Sequence, residues 1–467
     1  MFTLLAIAQF VVVLDVAVVN VALPEIQHGL GFNANTLQWV VTAYTLTFGG
    51  FLLLGGRAAD LFGRRRVLMM GLAGFTIFSL LIGLSQSALE RIIFRGLQGL
   101  AAALMSPAAL STVLTLFKDG EDRNRALAMW TNVATGGAAA GLLLGGILSQ
   151  FINWRYSFFI NVPVGIVVFI LMKKYLPAHA NEERSHKSLD GVGALLVTLG
   201  LVGLVFGFSQ APIWGWLHLA TLATLGGALL LLAVFVFNES RHKQPLMPLS
   251  IFKIRNVSGA NLALAPITAA LMGMFFLVSL YMTSVLQFKP LQVGLAFLPF
   301  PIILSLVSTR VSKMIGRVGI KPFLFTGPLL VAIGMALLVF LPMNGNYWIN
   351  ILPSVLIIPI GIGMTFMPLM VASTSGVPAH ESGLASGLIN TSQQMGGALG
   401  LAILSGIAAS IAAGSANTAA ATLSGYHMAF MAAAVFALIT MIVSMTVIKH
   451  RATSSKAASA AAEVSMH

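Results

Sequence analysis

Long apolar runs alternate with short breaks rich in glycine, proline and arginine along almost the whole chain. Most runs hold about 20 residues, enough to cross a bilayer as a helix rising 1.5 Å per residue, and none shows the ten-residue alternation of a membrane strand. The pattern predicts an all-α integral membrane protein with fourteen spans, over residues 3–24, 37–57, 67–87, 91–116, 126–150, 156–174, 190–210, 216–237, 257–285, 291–313, 321–342, 347–373, 383–412 and 427–448. Two longer polar stretches interrupt it. The expected organisation is a six-helix bundle (1–174), a cytoplasmic linker (175–189), two additional membrane helices (190–237), a second linker (238–256), a second six-helix bundle (257–449) and a cytoplasmic tail (450–467). Asp190, just before the seventh span, reads as a helix N-cap.

Composition agrees with the pattern. Of 467 residues 58% are hydrophobic and 8% charged, with mean hydropathy +0.93, against about 25% charged in a soluble domain. The absence of cysteine removes disulfide and thiol chemistry. The first run lacks a basic leader, carries an acid and has no small-residue cleavage site, so it reads as a span rather than a cleaved signal. The net charge of +13 would suggest nucleic-acid binding until the basic residues are placed. Twenty-two of the 26 lysines and arginines fall on one face, only Arg91, Arg155 and Lys289 on the other, and Arg95 inside a span. By the positive-inside rule both termini are cytoplasmic, and the basic charge reports topology rather than nucleic acid.

The two sets of six spans echo each other. Arg57-Ala-Ala-Asp-Leu-Phe-Gly63-Arg64 is matched by Arg310-Val-Ser-Lys-Met-Ile-Gly316-Arg317. Met105-Ser106-Pro107 is matched by Phe366-Met367-Pro368, and Asn132 with Gly136-Gly137 by Asn390 with Gly396-Gly397. Such repeats are a transporter signature and place a substrate site between the halves.

One acid stands apart. Of thirteen Asp and Glu, twelve lie at span ends, connections or the tail, and only Asp15 lies in the bilayer interior. A charge at that depth costs about 2.5–3.5 kcal/mol on insertion scales, which makes it a functional candidate; the competing reading is a structural acid neutralised by a partner. Counted from the span ends, Gln98 lies at a similar depth, with Arg95 one turn shallower on the same face. Arg95 could stabilise ionised Asp15 while Gln98 donates to it, or Arg95 could snorkel to the interface. In the connection after the second span, Gly56, Asp60, Gly63, Arg64 and Arg65 suggest a charged latch at a cytoplasmic gate. Gly63 there permits a sharp turn, and a simple basic anchor is the alternative. Gly137, Gly141 and Gly145 recur every four residues and offer a face for close helix packing.

These strings carry a resemblance. Gly-x-x-x-Asp-x-x-Gly-Arg-Arg-Arg from Gly56 resembles the signature loop of the major facilitator superfamily, and Arg95-Gly-Leu-Gln98-Gly99 its fourth-helix motif. Gly136-Gly137-Ala-Ala-Ala-Gly141-Leu-Leu-Leu-Gly145-Gly146 resembles the fifth-helix motif of its antiporters, with Leu142 where a proline is usual. Leu14-Asp15-x4-Asn20-x3-Pro24, Trp154-Arg155-x3-Phe159-x-Asn161-x-Pro163 and the extra pair of spans are similar to the fourteen-helix drug:proton antiporter family (the DHA2 type). The resemblance implies multidrug efflux driven by proton entry, and reads the glycine face as a seam with the opposite half.

Asn20, Trp39, Tyr44, Met105, Asn132, Tyr281, Phe366, Asn390 and Gln394 are the candidate pocket residues, since aromatics, methionines and buried amides suit varied amphiphiles. The leading expectation is a proton-coupled antiporter in the cell membrane, a monomer that exports amphipathic, mainly monocationic drugs by alternating access and confers antibiotic resistance. Its partners are small molecules, protons and the bilayer, and its energy is the proton gradient with no cofactor or metal. The alternatives are export of a lipid, fatty acid or neutral amphiphile, or a non-transporting receptor or scaffold. The sequence has no nucleotide loop, metal-ligand cluster or nucleophile constellation, so an enzyme is not expected.

Overall fold

The computed structural model describes residues 1–30, 34–117, 121–175, 190–242, 245, 249–375, 377, 382–414 and 419–448. Among them the regular structure is helical, with no strand. The long helices are α1 (Phe2–Leu30), α2 (Trp39–Phe62), α3 (Arg64–Leu84), α4 (Ala88–Leu116), α5 (Glu121–Phe151), α6 (Asn161–Tyr175), α7 (Gly191–Trp214) and α8 (Leu219–Arg241). They continue with α9 (Arg255–Ser284), α10 (Pro299–Val318), α11 (Lys321–Leu338), α12 (Leu352–Thr374), α13 (Ser382–Gly414) and α14 (Ala419–Thr446). Twelve helical stretches among the described residues are long and apolar enough to cross a membrane. The apolar parts of α2 and α5, Trp39–Leu52 and Gly136–Phe151, are shorter.

Local chemistry sets the boundaries. Ser87 and Glu90 close a capping box on α4, and the Asp190 carboxylate accepts from the Gly193 amide at 2.7 Å to cap α7, as its position suggested. Gly63 turns the chain between α2 and α3 at φ 92°, a conformation that costs an L side chain strain. The tenth expected span is broken: Pro290–Phe297 is a separate short helix and α10 begins at Pro299, which supplies no amide to continue the first.

Packing gathers α1–α6 on one another and α9–α14 on one another. At the centre of the first group lies α4. A Cβ on Gly55 of α2 would sit 2.0 Å from the Ala103 carbonyl, and one on Gly71 of α3 2.8 Å from that of Ala101. Such contacts, available only to glycine, let backbones approach where lipid supplies no hydrophobic drive. The pair α7–α8 packs on itself and lays α7 against α2 and α13.

The helix ends that carry Arg57, Arg64, Arg65, Arg310 and Arg317 define a basic end. Among the bonded contacts between the two groups that lie away from it, Ser279 Oγ donates to the Asn20 carbonyl at 3.1 Å, and the Leu291 amide to Gln150 Oε1 at 3.2 Å. Alongside, Gln38 of α2 donates to Ser209 of α7 at 2.7 Å and accepts from Ser405 of α13.

Candidate functional site

Asp15 is completely buried in the middle of α1, within the first group of helices. Its carboxylate is filled from two sides. Arg95 Nη1 donates to Oδ2 at 2.5 Å; Gln98 Nε2 and Asn161 Nδ2 donate to Oδ1 at 3.0 and 2.8 Å. Arg95 Nη1 also reaches Gln98 Oε1 at 2.7 Å, and its Nε donates to the Val40 carbonyl of α2 at 2.9 Å. Ser79 of α3 accepts from Gln98 at 2.8 Å. The Tyr44 ring lies 4.4 Å from the guanidinium. Five helices, α1, α2, α3, α4 and α6, thus meet on one buried ion pair.

Arg95 and Gln98 stand on one face of α4 as their spacing indicates, and Arg95 turns inward rather than snorkelling. Asn161 and Ser79 were not anticipated. Asn161 had a signal: it is a lone amide in an otherwise apolar string ending at Pro163. Asp15 does not face the space between the halves; its neighbours all belong to the first group. The reason is energetic: a buried charge needs a counter-charge and filled hydrogen-bond positions, which the packed bundle provides.

In the loop at the basic end, Arg65 Nη2 donates to the Lys173 carbonyl at 2.8 Å, where α6 ends, and Arg57 Nη1 to the Pro245 carbonyl at 2.5 Å. A Cβ on Gly56 would meet only Pro107, at 3.7 Å. Arg64 is half-buried, and the side chain of Asp60 lies outside the described residues. The echo in the second half differs in conformation. Arg310 and Arg317 are exposed, Gly316 stays inside α10, and the turn is made by Gly319 at φ 81°.

The glycine face of α5 is also corrected. Gly137, Gly141 and Gly145 pack on α1, where added Cβ atoms would lie 3.0 Å from the Phe10 carbonyl, 2.7 Å from that of Leu14 and 2.9 Å from that of Val18. The seam with the other half is the neighbouring strip. A Cβ on Gly146 would lie 2.7 Å from Leu291 Cα, and one on Gly294 2.3 Å from the Leu142 carbonyl. A helix has several faces, and spacing alone does not say which neighbour each one meets.

Four of the nine pocket candidates are engaged elsewhere. Tyr44 stacks under Arg95; Met105 is buried beside Gly71; Trp39 donates to Ser209 at 3.3 Å; and Tyr281 donates to the Pro342 carbonyl at 2.6 Å. These four are core or inter-helix contacts. Asn20 is buried, its amide donating to the Val16 carbonyl at 3.2 Å. Phe366 and Gln394 are half-buried, Gln394 against Gly49, and Asn390 is exposed. The side chain of Asn132 lies outside the described residues.

Apolar helices in bilayer-length stretches, grouped about a buried ion pair, define a multi-pass membrane transporter. The particular family follows from comparison: the Major Facilitator Superfamily profile matches residues 5–401, and the chain belongs to that superfamily. It is 38% identical to the puromycin resistance protein pur8 of Streptomyces alboniger, over 86% of this chain and 80% of that one. It is 39% identical to the cephamycin export protein CmcT of Amycolatopsis lactamdurans, over 92% and 88%. The crystal structure of the peptide transporter POT in complex with sulfate has the same fold, with TM-score 0.69 and 17% identity over 96% of this chain and 94% of that one.

Proposed function

We propose that the chain is a proton-coupled exporter of amphipathic small molecules, of antibiotic or multidrug type, working by alternating access. Its relatives, named for puromycin resistance and cephamycin export, support drug efflux. The reading includes fourteen crossings of the cell membrane, two six-helix bundles with α7–α8 inserted, cytoplasmic termini, and the proton gradient as the only energy source.

The observation that carries it is the Asp15 cluster. An ionised Asp15 holds Arg95, Gln98 and Asn161 and thereby ties α1 to α4 and α6. Protonation removes the charge that holds Arg95 and turns one acceptor oxygen into a donor. The tie between α1 and its neighbours then loosens. Five residues along α1, about 7.5 Å at 1.5 Å per residue, the Asn20 carbonyl takes the Ser279 hydroxyl from the opposite half. A change in α1 packing is thus delivered to the seam between the halves. Coupling runs through helix packing, so a proton and a substrate need not compete for the same oxygen atoms.

That geometry favours a wider substrate class than monocations. A carboxylate with three donors and no exposure does not serve as counter-charge to a cargo, so neutral amphiphiles qualify as well. Export of a neutral molecule against one proton moves one charge, so it is driven by about 2.3 kcal/mol per 100 mV in addition to about 1.4 kcal/mol per pH unit. Proteoliposome flux with the pH gradient and membrane potential set separately tests this. A neutral amphiphile should respond to both and a monocation to the pH gradient alone; transport of either with no pH response contradicts the proposal.

A further inference from the structure

Arg91 is fully buried one turn from Arg95 along α4, toward the end opposite the basic loops. Its guanidinium lies 3.8 Å from the Trp154 ring centre and 5.2 Å from that of Phe158, while Arg95 lies 5.8 Å from Phe158 on the cluster side. Arg155 lies 4.4 Å from Trp154. The order from Asp15 outward is therefore Arg95, Phe158, Arg91, Trp154, Arg155. Three guanidinium groups share this column with one buried carboxylate, Asp15. Glu90, the nearest other acid on α4, is exposed and spends its carboxylate on the Gln86 and Ser87 amides.

Helix capping does not account for Arg91. Its Nη2 donates at 3.0 Å both to Ser85 Oγ and to the Ile82 carbonyl at the end of α3, and that carbonyl already accepts the Ser85 hydroxyl at 2.7 Å and the Ser85 amide at 3.3 Å. The next carbonyls, of Gly83 and Ser85, are taken by Arg155 at 3.0 and 2.5 Å. Arg91 Nε and Nη1 have no hydrogen-bond partner among the described residues. A cation is thus buried at several kcal/mol of desolvation with one nitrogen bonded and two unpartnered, its charge lying against the Trp154 and Phe158 rings.

We propose that Arg91, stacked on Trp154 and Phe158, is an electrostatic barrier that stops protons from reaching Asp15 through the first bundle's own outer end. The inference rests on the proton-coupled reading above. A carrier stays coupled only if its proton site is open to one side at a time. Fixed positive charge on a narrow route excludes protons and cations, as arginines do in water-conducting pores. The barrier leaves proton exchange to the approaches that open when α1 shifts against α4 and α6 during alternating access.

The test is passive proton leak into proteoliposomes under an imposed potential, without substrate, read by an internal pH dye. The wild-type protein should be tight. Arg91→Leu should leak at least roughly tenfold faster, as expected when a unit charge beside the path is removed at an effective dielectric of about 20. Arg91→Lys, which keeps the charge and loses the planar fork, should stay near wild type. A tight Arg91→Leu protein overturns the barrier, as do Leu and Lys variants that leak alike, since packing would then be the cause. Should Arg91→Leu fail to fold, Arg91→Gln replaces it under the same two criteria. Failure of the proton-coupled reading shows separately, as wild-type protein whose substrate flux moves no protons.

Discussion

At the scale of single residues, Asp15 and Arg95 are worth most as a pair. Removing one partner of a buried ion pair typically costs about 3–5 kcal/mol, because it strands the other charge. Asp15→Asn and Arg95→Gln should each lower the thermal unfolding temperature in detergent, and the double variant should be more stable than Arg95→Gln alone. A double variant that loses the sum of both single effects would show that the pair is not coupled. Asn161→Ala should cost about 1–3 kcal/mol, the price of a lost bond to a buried acceptor, and slow export while leaving the fold intact. Asp15, Arg95 and Gln98 were legible in the sequence because charged and amide groups deep in apolar spans are rare. Arg91 was not, because an arginine near a span end is ordinarily an interfacial residue, and only the structure turns it inward onto Trp154.

At the scale of helices, the apolar runs located nearly every element, to within a few residues at most ends. What they could not give is which face meets which neighbour. The glycines of α5 illustrate the gap, since the strip at Gly137, Gly141 and Gly145 binds α1 and the strip at Leu142 and Gly146 binds the opposite half. Gly141→Ala places a methyl 2.7 Å from both the Leu14 carbonyl and Ala17 Cβ, beside Asp15. Overpacking of this kind costs about 1–3 kcal/mol, and here it should also reduce export by shifting α1. Gly136→Ala meets nothing within 4 Å and should be close to neutral. Comparing the two variants by melting temperature and transport checks this; equal effects would deny α1–α5 packing its part. The pocket stayed illegible for a related reason: aromatic and methionine side chains fill cores as readily as they line cavities, and Tyr44, Met105 and Tyr281 proved to be core.

At the scale of the whole molecule, the basic residues do more than mark topology. Arg65 satisfies the end of α6, Arg255 and Lys321 carbonyls at the end of α14, and Arg155 those ending α3. Cations favour helix C-termini, where carbonyls lack partners. Away from the basic end the halves are joined through Asn20 and Ser279, Gln150 and Leu291, and the strip at Gly146. Alternating access requires that joint to open. The chain has no cysteine, so a Gln150→Cys, Leu291→Cys pair, at two residues that touch across the seam, can be oxidised without competing thiols. Oxidation should arrest export and reduction restore it; undiminished export by the cross-linked protein would mean that the seam does not open in the cycle.

The central claim is that proton uptake and release at Asp15 drives cargo movement. The most direct measurement is substrate-induced proton flux in proteoliposomes, comparing wild-type protein with Asp15→Asn at matched amounts of folded carrier. Wild-type protein should move protons when an amphiphile is added, and Asp15→Asn should move none above liposomes without protein. Proton flux of wild-type size from Asp15→Asn would contradict the account.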